Sequence, residues 1–213
     1  MKSGRLEQLA DGIFAIVMTI LVFDIRIPVN IFTLTNAGLW HEIVALQPHL
    51  FGFILSFTLL FTYWRAHHFF ISVYAKNLDS RLTNINTLFF LLIALIPFST
   101  SILSRFPDLF LSIALFGVHI ILLGLCIYWM RNYVLYSEHI KNPEISKREI
   151  HGSTIRTLFP VFISIVAIYI ALFNTTYSLT LFTIAVIFNL SSYSTILLEK
   201  VLRIFKTQRL KED

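Results

Sequence analysis

Charged residues are scarce in this chain. Of its 213 residues only 14% are Asp, Glu, Lys or Arg, and 56% are hydrophobic. Soluble domains carry about 25% charged residues, and the mean hydropathy here is +0.75. The composition therefore excludes a soluble globular domain and indicates an integral membrane protein.

The chain has a single cysteine and no recognisable catalytic motif. Cys126 is the only cysteine, so an intrachain disulfide and a cysteine-based metal site are excluded. Because Cys126 lies in an apolar run, its thiol is predicted to be buried. The sequence has neither a nucleophile elbow nor a zinc-binding helix with two histidines. We therefore predict that the protein is not an enzyme and needs no cofactor.

Long apolar runs dominate what remains. A helix needs roughly 20 apolar residues to cross the hydrocarbon core of a bilayer, and the runs here are continuous rather than alternating, as barrel strands would be. The predicted fold class is therefore an all-α membrane protein with six transmembrane helices per chain in one domain, residues 1–213. The predicted spans are 6–27, 46–74, 82–104, 109–130, 155–174 and 178–199, with short polar connections and one longer one, 131–154.

The distribution of basic residues predicts the orientation. With a cytoplasmic amino terminus, every lysine and arginine except Arg26 and Arg105 would lie on the inner side, as the positive-inside rule requires. We therefore expect a multi-pass protein of the bacterial inner (plasma) membrane with both termini cytoplasmic. The net charge of +5 and the basic tail, 200–213, are then explained by cytoplasmic segments that face the anionic inner leaflet of the lipid bilayer. No nucleic-acid partner is expected. Residues 137–153 are predicted to form a solvated cytoplasmic linker.

A cluster of polar side chains is predicted at the cytoplasmic end. An ionisable group at membrane depth is costly unless it is paired, and Asp11 lies inside the first span. At about 1.5 Å per residue the second span carries Trp64 and His68 to the same depth, on one helix face. Asn86 in the third span and Arg5 are further candidates for a structural network. Interfacial anchoring of these side chains is the alternative.

The first helix also has a stripe of residues that points in one direction. At about 100° per residue, the stripe is roughly 60° wide and Asp11 lies about a quarter turn or more away from it. Such a stripe fits a surface that faces a partner, but it also fits simple helix packing. The stripe contains Arg5, Gly12, Ile16, Thr19 and Phe23, with Ile20 at its edge.

Three motifs resemble those of the transmembrane protein 175 family of lysosomal and bacterial potassium channels. The family's first helix carries an arginine, three residues and then Phe-Ser-Asp; here Arg5 and Asp11 match, while Leu9 and Ala10 replace Phe and Ser. The run YWRAHHFF, 63–70, is similar to the second helix, and NINTLFFLLIALIPFST, 84–100, to the third. The resemblance covers about the first hundred residues.

The resemblance implies a tetrameric potassium channel whose first helices line the pore. It divides the chain into a pore-forming part, about 1–104, and peripheral helices, about 109–200. It places Ile16 at a hydrophobic constriction or gate, with Ile20 and Phe23 as further apolar rings, and Thr19 at the hydroxyl layer that selects potassium. The sequence has no TVGYG-like segment and no evident re-entrant pore loop, so a filter of backbone carbonyls is excluded. Permeating K⁺ at Thr19 is the only metal expected.

Two other functions stay open at this point. A proton-coupled secondary transporter would use Asp11 and His68, although the breakers Pro97 and Pro160 do not occupy equivalent places in two halves, as transporter repeats would require. A scaffold subunit is also compatible with the sequence.

Overall fold

The computed structural model describes residues 3–27, 35–75, 77–140, 142 and 147–190, and most of these residues are helical. No β-strand occurs in these ranges. A 3-10 turn, Leu21–Asp24, extends the first helix, and a π-helical turn, Phe70–Tyr74, extends the third. The helices are α1 Ser3–Ile20, α2 Asn36–Ala45, α3 Gln47–Phe69, α4 Ser80–Ala94, α5 Ile96–Arg105, α6 Phe110–Tyr136, α7 Lys147–Ala171 and α8 Thr175–Leu190.

The described helices agree with part of the predicted span pattern. Gly4–Asp24, Ser80–Arg105 and Phe110–Tyr136 are long and apolar enough to cross a membrane, and α2 with α3 and its π-helical turn would form a fourth span, bent by 45°. The apolar parts of α7 and α8 that are described, Thr157–Ala171 and Thr175–Val186, are shorter. The predicted sixth span and the tail 200–213 extend beyond residue 190 and so lie partly or wholly outside the described residues. Six spans therefore stay a prediction.

Two connections differ from the sequence prediction. A short polar connection was expected before residue 46, but α2 occupies part of it because the Thr35 side chain caps the helix, accepting from the Gly38 backbone N–H at 3.1 Å. The predicted start of the long connection at residue 131 is also wrong, since α6 continues to Tyr136. Beyond α6, Ile140 is fully buried and the Asn142 side chain donates to the Val73 carbonyl at 3.0 Å. Ile140 and Asn142 are thus packed against the rest of the chain, whereas Glu138 and His139 are exposed, as predicted for a solvated linker.

Local sequence signals explain where the third span begins and breaks. Asp79 Oδ1 accepts a hydrogen bond of 2.7 Å from the Leu82 backbone N–H, which caps α4. Pro97 lies in the first turn of α5 and lacks the backbone N–H that an uninterrupted helix needs at that position. The span is therefore two helices, α4 and α5, joined at Leu95.

The core forms where α1, α3, α4 and α6 meet, and α6 supplies its longest buried face. His119 is a hydrogen-bonded packing residue, as predicted: its ring nitrogens lie 2.8 Å from Ser99 Oγ and 2.9 Å from the Leu92 carbonyl oxygen. Cys126 is a free, buried thiol, which confirms the second prediction for this helix. Gly124 allows α7 to approach, because a Cβ there would lie 2.3 Å from Val161 Cγ2.

Candidate functional site

Helix α1 has two faces of opposite character. One is buried in the core, with no side chain more than 5% exposed, and comprises Leu6, Ala10, Phe14, Val17 and Leu21. The spacing of four, four, three and four residues is that of one helix face. The other face carries large apolar side chains that nothing in the described chain covers: Ile16 is 60% exposed, Ile20 43% and Phe23 61%. Arg5, Gly12 and Thr19 are also exposed on α1.

Thr19 holds its hydroxyl in a defined orientation. Its Oγ1 lies 3.0 Å from the Ala15 carbonyl oxygen and 2.8 Å from that of Ile16, so the hydroxyl proton is donated back to the same helix. A hydroxyl has one proton and two lone pairs. Because the proton is used inside the helix and Thr19 is exposed, the lone pairs of its oxygen are free to accept from water or to coordinate a cation.

Asp11 is held by α3. Trp64 Nε1 donates a hydrogen bond of 2.8 Å to Asp11 Oδ1. The His68 ring stacks on the Trp64 indole, with 5.8 Å between ring centroids and 19° between planes. His68 is therefore linked to the Asp11 carboxylate indirectly, by stacking on the indole that donates to it. Together the three side chains connect α1 to α3. Arg5 lies exposed one and a half turns earlier on α1.

Asn86 belongs to a different contact from the one predicted. Its Oδ1 lies 2.7 Å from His67 Nε2, and both residues are buried. The His67 ring also stacks on Phe89, with centroids 5.3 Å apart and 4° between planes, and lies near Phe14 of α1. The predicted network did not include His67, although its position one residue before His68 places it on another face of α3. It joins α1, α3 and α4 behind the exposed stripe.

The far end of α1 carries a second contact that sequence reasoning missed. Asp24, the last residue of the 3-10 turn, accepts a hydrogen bond of 2.7 Å from Ser101 Oγ, and Arg105 Nη2 lies 3.6 Å from the same oxygen, Oδ1. The sequence held a signal for this contact. Asp24 is an acidic residue at the outer end of an apolar run, and Arg105 is one of the two basic residues predicted to lie on the outer side of the membrane.

Comparison with known proteins identifies relatives of this chain. The family model described as "Endosomal/lysosomal potassium channel TMEM175" matches residues 5–97. A potassium channel of Streptomyces collinus is 33% identical over 105 residues, which are 49% of this chain and 49% of the relative. A potassium channel of Chamaesiphon minutus is 32% identical over 105 residues, 49% of this chain and 51% of the relative. The alignment thus spans about half the length of each.

A solved structure extends the likeness to most of the chain. The crystal structure of a lysosomal potassium-selective channel TMEM175 homologue from Chamaesiphon minutus matches with a TM-score of 0.76 and 22% identity, covering 88% of this chain and 95% of the other. The resemblance expected from Arg5, Asp11 and the two later motifs is therefore confirmed, and the helical fold is similar to that of the solved homologue.

Proposed function

From the confirmed resemblance to the TMEM175 family over residues 5–97, we propose that this protein is a potassium-selective cation channel. Four identical chains surround one axis, and α1 of each chain lines the pore. The observation that carries the proposal is the exposed stripe on α1, with Ile16, Thr19 and Phe23 opposite a buried face. Nothing in the described part of a single chain covers this stripe, and in the proposed tetramer it forms the wall of a conduit.

The apolar residues of the stripe supply the gate. Four Ile16 side chains around a narrow axis form a ring from which water withdraws, and a dewetted constriction stops ions without a charged plug. Ile20 and Phe23 add apolar surface on the outer side of Ile16. Opening the gate requires only that the ring widens enough to admit water.

The hydroxyl of Thr19 supplies the selectivity. Its proton is engaged with the Ala15 and Ile16 carbonyl oxygens, so four oxygens can each offer a lone pair to a dehydrating ion. A narrow neck that strips part of the hydration shell favours K⁺, because K⁺ loses water more readily than Na⁺. A side-chain layer of this kind replaces the filter of backbone carbonyls found in other potassium channels.

The contacts behind the stripe hold α1 in the required rotation. Trp64 and His68 fix Asp11 at one level, and His67 with Asn86 fills the core behind Phe14. These residues shape the pore without lining it. We place this end of the helix at the cytoplasmic side of a bacterial inner membrane, in agreement with the basic residues assigned to that side.

Purified protein in a planar bilayer tests the proposal. With K⁺ on one side and Na⁺ on the other, a potassium-selective channel gives unitary current steps and a reversal potential displaced toward the K⁺ equilibrium potential. Saturable flux with fixed ion stoichiometry and no unitary steps would support a proton-coupled transporter using Asp11 and His68 instead. An empty-bilayer control and protein with Ile16→Trp, which should plug the neck, exclude leak through the lipid.

A further inference from the structure

The outer end of α1 is anchored to α5 by one acidic residue. Asp24 Oδ1 receives the hydrogen bond from Ser101 Oγ at 2.7 Å and lies 3.6 Å from Arg105 Nη2. The Asp24 side chain is 16% exposed, whereas that of Arg105 is 62% exposed. The second carboxylate oxygen of Asp24, Oδ2, is buried and has no hydrogen-bond partner among the described residues. A mostly buried acidic side chain with one unsatisfied oxygen is a candidate for a functional role in a membrane protein.

The local backbone explains how neighbouring residues reach different surroundings. The segment Leu21–Asp24 is a 3-10 turn, in which successive side chains diverge by about 120° rather than the roughly 100° of an α-helix. Phe23 therefore stays exposed while Asp24 turns toward α5. The Arg26 side chain steadies the turn, donating from Nε to the Phe23 carbonyl at 2.7 Å.

The two ends of the exposed stripe are held unequally. Ile16 lies between Phe14 and Val17, both buried in the core, so its backbone is fixed by packing on either side. After Leu21, the side chains of residues 22–27 are all half-buried or exposed. The Asp24 contact is thus the polar contact that ties the 3-10 turn carrying Phe23 to another helix.

We propose that Asp24 is a positioning residue for the pore: its contact with Ser101 and Arg105 sets the position of the outer ring at Phe23, and α5 thereby controls the width of the outer pore. This inference rests on the proposed function, since it requires α1 to line the conduit. It adds a second restraint, at the opposite end from Asp11, and makes α5 the element through which the outer ring can move.

Cysteine accessibility tests the inference in an almost cysteine-free background. Cys126 is buried and is the only native cysteine. In the Phe23→Cys variant the introduced thiol is therefore the one that a water-soluble reagent can modify. A cationic methanethiosulfonate applied from the outer side should block the current of assembled Phe23→Cys channels. Adding Asp24→Ala should raise the rate of block by about tenfold, the smallest change expected when hydrogen bonding to a charged group is lost.

Companion variants separate positioning from general destabilisation. Ser101→Ala should raise the rate less than Asp24→Ala, and the double variant no more than Asp24→Ala alone, because both remove the same contact. Arg105→Lys should keep the original rate, whereas Arg105→Gln should raise it. Asp108→Ala removes an exposed acidic residue at the same end of the molecule and should change nothing.

The outcome also distinguishes this inference from the proposed function. Ile16→Cys, modified from the cytoplasmic side, should be blocked at the same rate with and without Asp24→Ala. If Ile16→Cys is blocked but the Phe23→Cys rate is unaffected by Asp24→Ala and by Ser101→Ala, the positioning role is wrong and the pore assignment stands. If neither cysteine is ever blocked, α1 does not line a pore and both proposals fail. Should Asp24→Ala fail to assemble, Ser101→Ala alone decides.

Discussion

Trp64 Nε1 donates a hydrogen bond of 2.8 Å to Asp11 Oδ1, which ties the first helix to the third at one defined rotation. The donor and acceptor are 53 residues apart, so the contact exists only in the folded chain. It connects an ionisable residue in the middle of α1 to a face of α3 that also carries His68.

Removing the indole donor should weaken assembly but leave ion selection unchanged. Trp64→Phe keeps an aromatic ring for His68 to stack on and deletes the hydrogen bond to Asp11, at a cost of about 1 kcal/mol. We expect a lower unfolding temperature in detergent and a smaller fraction of tetramer by size-exclusion chromatography. Asp11→Asn and His68→Ala should act in the same direction. Trp129→Phe, at an exposed tryptophan of α6, is the control; a stable tetramer with altered K⁺ over Na⁺ permeability would contradict the structural role.

A polar residue at the proposed gate should let water remain in the closed neck. Ile16→Asn is expected to raise the basal K⁺ flux of reconstituted protein several-fold, because an amide ring stays hydrated where an isoleucine ring does not. Potassium flux from liposomes measures the effect. Ile54→Asn is a matched control, since Ile54 on α3 is 61% exposed, like Ile16. Equal flux from the wild-type protein and from Ile16→Asn would show that Ile16 is not the neck.

The selectivity layer should depend on one oxygen atom. Thr19→Val keeps the shape of the side chain and removes the hydroxyl, so the K⁺ over Na⁺ permeability ratio should fall several-fold, while Thr19→Ser should retain most of it. Reversal potentials under bi-ionic conditions give the ratio. Thr87→Val is the control, because Thr87 is an exposed threonine that also donates to its own helix, to the Thr83 carbonyl at 3.0 Å. A full ratio in Thr19→Val would remove the hydroxyl layer from the mechanism.

Acid should destabilise the contacts of Asp79 at the start of α4, here called the Asp79 junction. Burial raises the pKa of Asp79, but hydrogen bonds from the Tyr133 hydroxyl and the Leu82 backbone N–H, together with His139, outweigh it and hold the pKa below its ordinary value of 3.8. A group whose pKa is lower in the folded state stabilises the fold above its unfolded pKa, and that stability is lost as pH falls through the folded value.

The unfolding temperature measured across the acidic range tests this junction. The wild-type protein should lose stability below about pH 4, where the unfolded Asp79 begins to take up protons. Asp79→Asn should be less stable at neutral pH by about 1 kcal/mol, as for other lost helix caps, and should show a smaller loss on acidification. Asp108→Asn, which alters an exposed carboxylate, should follow the wild-type curve. Parallel curves for the wild type and Asp79→Asn would exclude the junction as a source of acid sensitivity.

The regular features of the fold could be predicted because they depend on local periodicity. The stripe with Ile16, Thr19 and Phe23 followed from a helix of 3.6 residues per turn, and the structure leaves those residues exposed. Trp64 was predicted near Asp11 because the rise per residue places both at one depth. The resemblance of the first hundred residues was confirmed by the family model.

Other features depended on which surfaces meet, and the sequence alone does not contain that information. Asn86 was predicted beside Asp11, but close packing turns it toward His67. The Ser101 and Arg105 contacts of Asp24 need a helix that lies 77 positions later in the chain to stand against the 3-10 turn. The buried Ile140 and the hydrogen bond from Asn142 to Val73 likewise require a distant partner.

By itself, the sequence determined the membrane-protein class, the two-faced first helix and the polar level at Asp11, because hydropathy and helical pitch are properties of neighbouring residues. The tertiary structure decided which side chain meets Asp11, which residues hold Asp24 and how His67 fills the core. Those choices are made by close packing between helices far apart in the chain, where a rotation of a fraction of a turn changes every partner.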